Sequence, residues 1–353
     1  MLSTLKALCA LNGVSSWEDE VRDYLKAQAA PHADTLRIDS MGNLIVTKKG
    51  RRSDGPALLL AAHMDEVGLM VTSITDEGYL KFDTVGGIDR RVLLGKQVFV
   101  GSDRIPGVVG LKAYHLVSRA EEKTVPKLED FYLDIGAASR EQAEARVALG
   151  DYAAFDSQVE DFGAGMIKAK ALDDRIGCAL LLTLLREELP LDCTFAFTVQ
   201  EEVGTRGAFG AAFSVRPQIA LVVETTTAAD LPGVDPHKQV CAPGRGPVIP
   251  FMDGGSVSDR GLFDLMRSLA QKNSIPWQTK HYIAGGNDAS AIQRSRDGVR
   301  TATLSAAVRY LHAPASVGSV SDFENMLRLT RLILERMARE LPEGGTQSGA
   351  SLC

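Results

Sequence analysis

The run at residues 194–199, TFAFTV, reads as a strand buried on both faces, and it gives way at once to Gln200, Glu201 and Glu202. Two adjacent carboxylates at the end of a buried strand are costly unless each is paired, protonated or bound to a cation. Neighbouring side chains on an extended segment point to opposite sides, so the two glutamates meet different surroundings and have different tasks. Other charged or polar groups must therefore converge on this strand end.

The flanking pattern says what kind of fold can arrange that. Residues 56–62 (PALLLAA) are too short for a helix and suit a second strand buried on both faces. Helices are expected at 2–12 and 16–30, the second opened by a capping box at Ser15-Ser16-Trp17-Glu18 and stopped by Pro31. Short strands at 35–39 and 44–48 flank a Met41-Gly42-Asn43 turn. After Gly163, helices at 174–189, 206–213, 258–273 and 320–341 alternate with strands at 194–199, 219–224, 278–282 and 301–307. Alternation of this kind predicts an α/β fold with a mostly parallel or mixed sheet sandwiched by helices. Residues 66–162 differ. They hold short β-like runs at 67–74, 79–85, 97–100, 105–112 and 131–135, one helix at 139–148 and a polar loop at 121–130. The expected organisation is one discontinuous α/β domain, 1–65 with 163–353, interrupted by a β-rich insert at 66–162. A Gly/Ser-rich disordered tail is expected at 342–353.

Composition narrows the partners. Apolar residues make up 45% of the 353 and charged residues 24%, enough for a large core. The formal net charge is −6 with no basic run, and aromatic residues are 6%, which argues against nucleic acid. The five cysteines, Cys9, Cys178, Cys193, Cys241 and Cys353, form no CxxC and read as buried free thiols, which fits a reducing compartment. Leu2, Leu5, Leu8 and Leu11 recur at helical spacing, so the first residues read as an amphipathic helix rather than a signal peptide. No apolar run reaches membrane-spanning length, so no membrane partner is expected and the cytoplasm is the expected location.

Four further constellations resemble the first. In AAHMDEVG, His63 ends the apolar run and Asp65 lies two residues on, on the same side, where a carboxylate can hold the second imidazole nitrogen. In ALDDRIG, Asp173 and Asp174 open a long apolar helix; one serves as a helix cap, and the other has two oxygens free to bridge two cations. Glu224 ends the run in LVVETTT, and His312 follows a strand in RYLHAP. Taken singly, each pattern also has a structural explanation, a solvated turn or a cap. Together His63, Asp173, Glu202, Glu224 and His312 offer two imidazoles and three carboxylates, a donor set suited to Zn²⁺, Co²⁺ or Mn²⁺. If Asp173 bridges, each of two ions has three protein ligands and room for water. Glu201 is then left as the general base for metal-activated water. His32, His115, His237 and His281 lack ligand-like partners. Asp230 either holds a turn or touches the site, and Arg206 and Arg245 are candidate anion contacts. Gly204 and Gly207 read as close-packing positions. No GxGxxG, P-loop, GxSxG or Cys–His signature occurs.

HMDEVGLMV, ALDDRIG, VQEEVGTRGA and YLHAP resemble, in order and over nearly the whole chain, the glutamyl-aminopeptidase-like metallopeptidases that build tetrahedral (TET) shells. The resemblance implies a zinc-exopeptidase-like sheet with a barrel-like insert, and a di-metal aminopeptidase acting on short peptides. It implies two divalent ions per subunit, zinc foremost, with His63 and Glu224 on one, Glu202 and His312 on the other and Asp173 between them. Asp65 would orient His63, Glu201 would be base and proton shuttle, and the Asp173–Asp174 peptide would be cis. The insert would mediate dimerisation and the dimers would assemble into dodecamers. The chain has Glu224 where many relatives carry Asp, and Asn287 where Thr is usual. Acidic, basic and neutral preferences for the first residue all occur among them. The rival readings are another di-metal amidohydrolase (a carboxypeptidase or deacylase), a glycan hydrolase, and a non-catalytic shell subunit.

Overall fold

A computed structural model describes residues 1–340; the tail expected at 342–353 lies outside them. In chain order the elements are helices α1 (Leu2–Cys9) and α2 (Asp19–Ala29), then strands β1 (Thr35–Ile38), β2 (Leu44–Lys48) and β3 (Leu58–His63). Next come β4 (Gly68–Ile74), β5 (Leu80–Val85), β6 (Gln97–Val100), β7 (Ile105–Gly110), β8 (Tyr132–Asp134), α3 (Arg140–Glu144) and β9 (Tyr152–Phe155). The chain continues through β10 (Glu160–Asp161), β11 (Met166–Ala169), α4 (Leu172–Leu185), β12 (Cys193–Thr198), α5 (Arg206–Val215) and β13 (Ile219–Thr227). It closes with α6 (Arg260–Lys272), α7 (Ala289–Ile292), β14 (Arg300–Arg309), β15 (Ser316–Ser319) and α8 (Val320–Glu340).

Two sheets result. One has nine strands in the order β1-β2-β12-β3-β13-β14-β15-β11-β10. Its centre is parallel: β12 with β3, β3 with β13, and β13 with β14. The flanking pairs run antiparallel, so the sheet is mixed. Parallel pairing puts the carboxyl ends of β3, β12, β13 and β14 on one edge, where open α/β sheets form their sites. The other sheet closes as a barrel, β4-β5-β8-β7-β6-β9, around Leu69, Val71, Leu80, Phe82, Val98, Val100, Leu133 and Phe155.

The apolar runs are buried on both faces because both faces are covered. Leu58, Leu60 and Ala62 of β3 pack into the main core with α4 and α8, while Leu59 and Ala61 pack against α5 and α7. The same alternation splits Phe195 and Phe197 from Ala196, and Ile219, Leu221 and Val223 from Ala220 and Val222. The α5 side is built of alanines, which lets that helix approach closely. Gly207 shows how closely: a Cβ there would stand 2.4 Å from the Val199 carbonyl oxygen and 2.3 Å from Asn43 Oδ1. Four of the cysteines, Cys9, Cys178, Cys193 and Cys241, are buried free thiols. Among the described residues no helix is long and apolar enough to cross a membrane.

Several expectations need correction. Residues 278–282 form no strand; Gln278 makes a single bridge to Val248, and its side-chain amide is taken up by Ala242 and Gly246. The strand expected at 219–224 runs on to Thr227, so Glu224 lies inside it, opposite Ser305 of β14. The helix expected at 139–148 shortens to α3, and the 121–130 loop contains two 3-10 turns. The capping box does not form: α2 starts at Asp19 with no side-chain cap. Glu18 Oε1 instead accepts from the backbone N–H of Ser16 and, across the fold, of Gln200.

Candidate metal centre

Five separate segments bring their side chains to the carboxyl edge of the sheet. His63 is the last residue of β3, and its ring is sealed in the core. Its Nε2 lies 3.2 Å from Asp173 Oδ1 and 3.5 Å from Glu224 Oε1. Asp173 stands at the mouth of α4, where it and Asp174 depart from helical dihedrals and the peptide between them is cis. Its second oxygen, Oδ2, is 3.3 Å from His312 Nε2, which is 3.1 Å from Glu202 Oε2. His63, Asp173 and Glu224 thus form one cluster able to hold a cation, and Asp173, Glu202 and His312 form another. One carboxylate faces both imidazoles, with one oxygen for each.

Asp65 organises the surroundings. It is fully buried, and its Oδ1 lies 3.4 Å from His63 Nδ1. The same carboxylate accepts the backbone N–H of Glu201 at 3.0 Å, the N–H of Glu202 at 3.1 Å and the Ser15 hydroxyl at 2.6 Å. A single side chain therefore fixes the imidazole and the two-residue segment that presents Glu201 beside Glu202. Gln200, at φ 56, makes the turn that takes the chain off β12 into this segment. Both imidazoles also meet a backbone carbonyl through Nδ1: His63 that of Asp65 at 3.1 Å, and His312 that of Gly87 at 2.9 Å, a glycine that follows barrel strand β5.

The electrostatics follow from crowding carboxylates in a dry place. Burial, then the Asp173 charge, pushes Glu202 up to about 8. Burial, with Asp173 again adding to it, takes Glu224 up to about 8. Glu201 and Asp174 rise well above the usual carboxylate range, burial first and Glu224's charge next among the groups that raise them. Burial works against a charged His63, yet Glu224, Asp173 and Asp65 outweigh it and raise it well above its ordinary value. Burial opposes the charged form of His312 too, and Asp173 and Glu202 carry it to about 9. Asp173 goes the other way: burial is outweighed by its bonds to the two histidines. A cluster that keeps protons on Glu202, Glu224 and both imidazoles is short of positive charge, and divalent cations would replace those protons. The residues fit such ions in donor type, number and grouping.

The cluster opens into a cavity of about 650 Å³ lined also by Thr225, Thr226, Thr227, Lys280 and the Gly285-Gly286-Asn287 loop. A groove of about 620 Å³ beside α6 is lined by none of the residues of the two clusters. Asp230 is held by Arg309, with Arg309 Nε 2.8 Å from its Oδ1. Arg206 lines a neighbouring cavity with Phe209 and Arg294.

Sequence reasoning missed several supports. Glu66 accepts from Lys170 Nζ at 2.7 Å and from the Gly13 N–H, and Arg175 Nη1 donates to the Leu8 carbonyl, all buried. This charged cluster ties the end of α1 to the start of α4. The one signal for it was charge inside otherwise apolar stretches, KALDDRIG and HMDEVG, which predicts buried pairing. Asp288, buried behind the site and pushed up to about 6 by burial, accepts from Thr198 Oγ1. No local pattern could reveal the Gly87 carbonyl, since any residue has one.

The family model described as M42 glutamyl aminopeptidase matches residues 42–329. A putative aminopeptidase of Acetivibrio thermocellus is 38% identical over 331 residues, spanning 93% of this chain and 97% of that protein. The crystal structure of a TET aminopeptidase from Thaumarchaeota archaeon SCGC AB-539-E09 superposes with a TM-score of 0.91 at 34% identity, covering 96% of this chain and 98% of that one. The Pyrococcus horikoshii TET1 peptidase, which assembles into a tetrahedron or a large octahedral shell, superposes at 0.84 with 35% identity, covering 94% and 98%.

Proposed function

The chain belongs to the M42 glutamyl aminopeptidase family, and from that premise we propose how its own residues remove the first residue of a short peptide. His63, Asp173 and Glu224 would hold one divalent ion, and Asp173, Glu202 and His312 a second, with zinc the foremost candidate. Bound there, such a pair would supply Lewis acidity for a scissile carbonyl and for a water molecule. Glu201 is the base. Its carboxylate, kept proton-seeking by burial, takes the proton from the attacking water and passes it to the leaving amine. Asp65 holds the Glu201 and Glu202 amides and the His63 ring, so the base stays one backbone position from a ligand.

The observation that carries this reading is Asp173, whose two oxygens face two different imidazoles at 3.2 and 3.3 Å. A helix cap has no need of that arrangement. The test is Glu201→Gln. It should retain both ions by elemental analysis and lose about a thousandfold or more in kcat, within the range for removing a general base. Turnover near the wild-type value would sink the assignment.

Self-association belongs to the same reading. Val108, Tyr114 and Leu116 are exposed in and next to the barrel, at 45, 78 and 60%, and exposed apolar side chains of this kind suit a contact between copies. The buried thiols suit the cytoplasm. Native mass of the protein recovered from the cytoplasmic fraction checks both points. A monomer would overturn the assembly, and absence from that fraction would overturn the location.

A further inference from the structure

The segment between α1 and α2 is fastened to the strand ends that carry the centre. Ser15 N–H donates to the Glu66 carbonyl oxygen at 3.3 Å, Glu66 N–H to the Gly13 carbonyl oxygen at 2.9 Å, and the Ser15 hydroxyl to Asp65 Oδ2 at 2.6 Å. Glu18 closes this segment and is 4% exposed. One of its oxygens, Oε1, is shared between two amides: Ser16 N–H at 2.8 Å and Gln200 N–H, 182 residues away, at 3.1 Å. Both of those residues lie in the left-handed region, Ser16 at φ 77 and Gln200 at φ 56. Neither is glycine, so each needs its surroundings to hold it there. Glu18 immediately precedes α2 but makes no side-chain cap bond to it, so the start of that helix does not explain why a carboxyl is buried here. The amides that follow Gln200 are taken as well, Glu201 N–H by Asp65 Oδ1 and Glu202 N–H by Asp65 Oδ2. Three consecutive amides, 200 to 202, thus end on two buried carboxyl groups, and Glu18 holds the first of them.

We propose that Glu18 is a positioning residue for the reaction: its Oε1 pins the Gln200 turn and so sets where the Glu201 carboxylate stands. This rests on the reading of Glu201 as the base. Without the bond, the Gln200 N–H loses its acceptor and the turn relaxes toward negative φ, which swings the residue after it. Asp65 still tethers the Glu201 and Glu202 amides, and Glu18 bonds none of the five candidate ligands, so the ions stay while the base loses its alignment. A displacement of about 1 Å is enough to slow a positioned group by roughly a hundredfold. Burial, with the Asp65 charge next, pushes Glu18 up to about 7. A carboxyl oxygen accepts in either protonation state, so the hold on Gln200 needs the oxygen and not its charge.

The experiment uses the metal-loaded full chain as wild type, as Glu18→Met, which keeps the length but accepts nothing, and as Glu18→Gln, which keeps an acceptor oxygen. kcat and KM are measured on the aminoacyl-p-nitroanilide that wild type cleaves fastest, bound metal by elemental analysis, and amide exchange over residues 199–204 by mass spectrometry. In Glu18→Met, kcat should fall about a hundredfold with KM within about threefold, both ions retained and exchange in that segment faster. Glu18→Gln should recover most of the loss in kcat and in protection. Added to Glu201→Gln, Glu18→Met should cost no further kcat, because the group it aligns is already gone. A second loss of full size in that double variant, a loss of ions, unchanged exchange or no recovery in Glu18→Gln would each show that Glu18 supports the fold at large, and would overturn the proposal; so would an undiminished kcat in Glu18→Met. Should Glu18→Met not fold, Glu18→Ser takes its place with the same expectations, and failure of both to fold counts against the proposal. Wild-type turnover in Glu201→Gln alone would instead overturn the base assignment, and the route through which Glu18 acts would fall with it.

Discussion

The two candidate clusters share Asp173 and differ in almost everything else. The His63 cluster is built on the central parallel strands β3 and β13, its imidazole is 1% exposed, and its second nitrogen meets the Asp65 carbonyl oxygen at 3.1 Å with the buried Asp65 carboxylate 3.4 Å away. The cluster with His312 is built on turns after β12 and β14, its imidazole is 30% exposed, and its second nitrogen meets the neutral carbonyl of Gly87. A nearby carboxylate raises imidazole basicity beyond what a carbonyl alone does, and a sheet interior is stiffer than a turn. The sealed cluster is therefore the scaffold half of the centre. The open one is where the barrel segment meets the centre, because Gly87 belongs to the segment that leaves β5. A Cβ on the preceding Gly86, at φ +81, would lie 3.3 Å from Glu202 Cβ, so that segment touches a second member of the same cluster.

The contrast can be broken most directly at Asp65. In Asp65→Asn the amide can no longer accept on both oxygens from the Glu201 and Glu202 N–H groups while facing His63. We expect metal affinity at the sealed cluster to fall by about 10- to 100-fold, with activity falling further because Glu201 loses its support. Competitive chelation followed by metal counting checks it. One ion lost before the other sharpens the contrast; undiminished binding of both ions removes Asp65 from its role.

A smaller effect separates the loaded from the metal-stripped protein. Glu202 and Glu224 are raised from 4.5 to about 8, and His312 from 6.5 to about 9. The folded, stripped chain thus holds protons that the unfolded chain has released. Stability from these groups is complete below pH 4.5 for the acids and below 6.5 for the histidine, and it is lost as pH climbs through about 8 and 9. Asp65 and Asp173 are depressed and act only below 3.8. The melting temperature of the stripped protein should fall steadily between about pH 5 and 9, and the gap to the loaded protein should widen. A melting temperature of the stripped protein that rises over this window would contradict the crowding argument.

Much of this centre is legible in the sequence. His63, Asp173, Glu201, Glu202, Glu224 and His312 are each conspicuous because an ionisable group ends or opens an apolar run, and burial makes such groups expensive. The buried strands are legible for the same reason: β3 and β12 are too short and too apolar for anything else. The segment at 278–282 misleads because Gln278 has a strand-like neighbourhood but spends its side chain on the backbone of residues 242 and 246. Glu18 misleads because its capping pattern is local, while the amide that claims it belongs to Gln200.

The sequence alone therefore determined which residues had to be satisfied by something other than water, since that follows from local burial and residue type. Only the tertiary structure decided what satisfies them. Parallel pairing of β12, β3, β13 and β14 sets residues 63, 202, 224 and 312 on one edge, and α4 brings residue 173 between them. No contact between neighbours in the chain encodes that meeting. It is fixed by burying both faces of a sheet at once, which leaves one edge for every charge the strands carry out of the core.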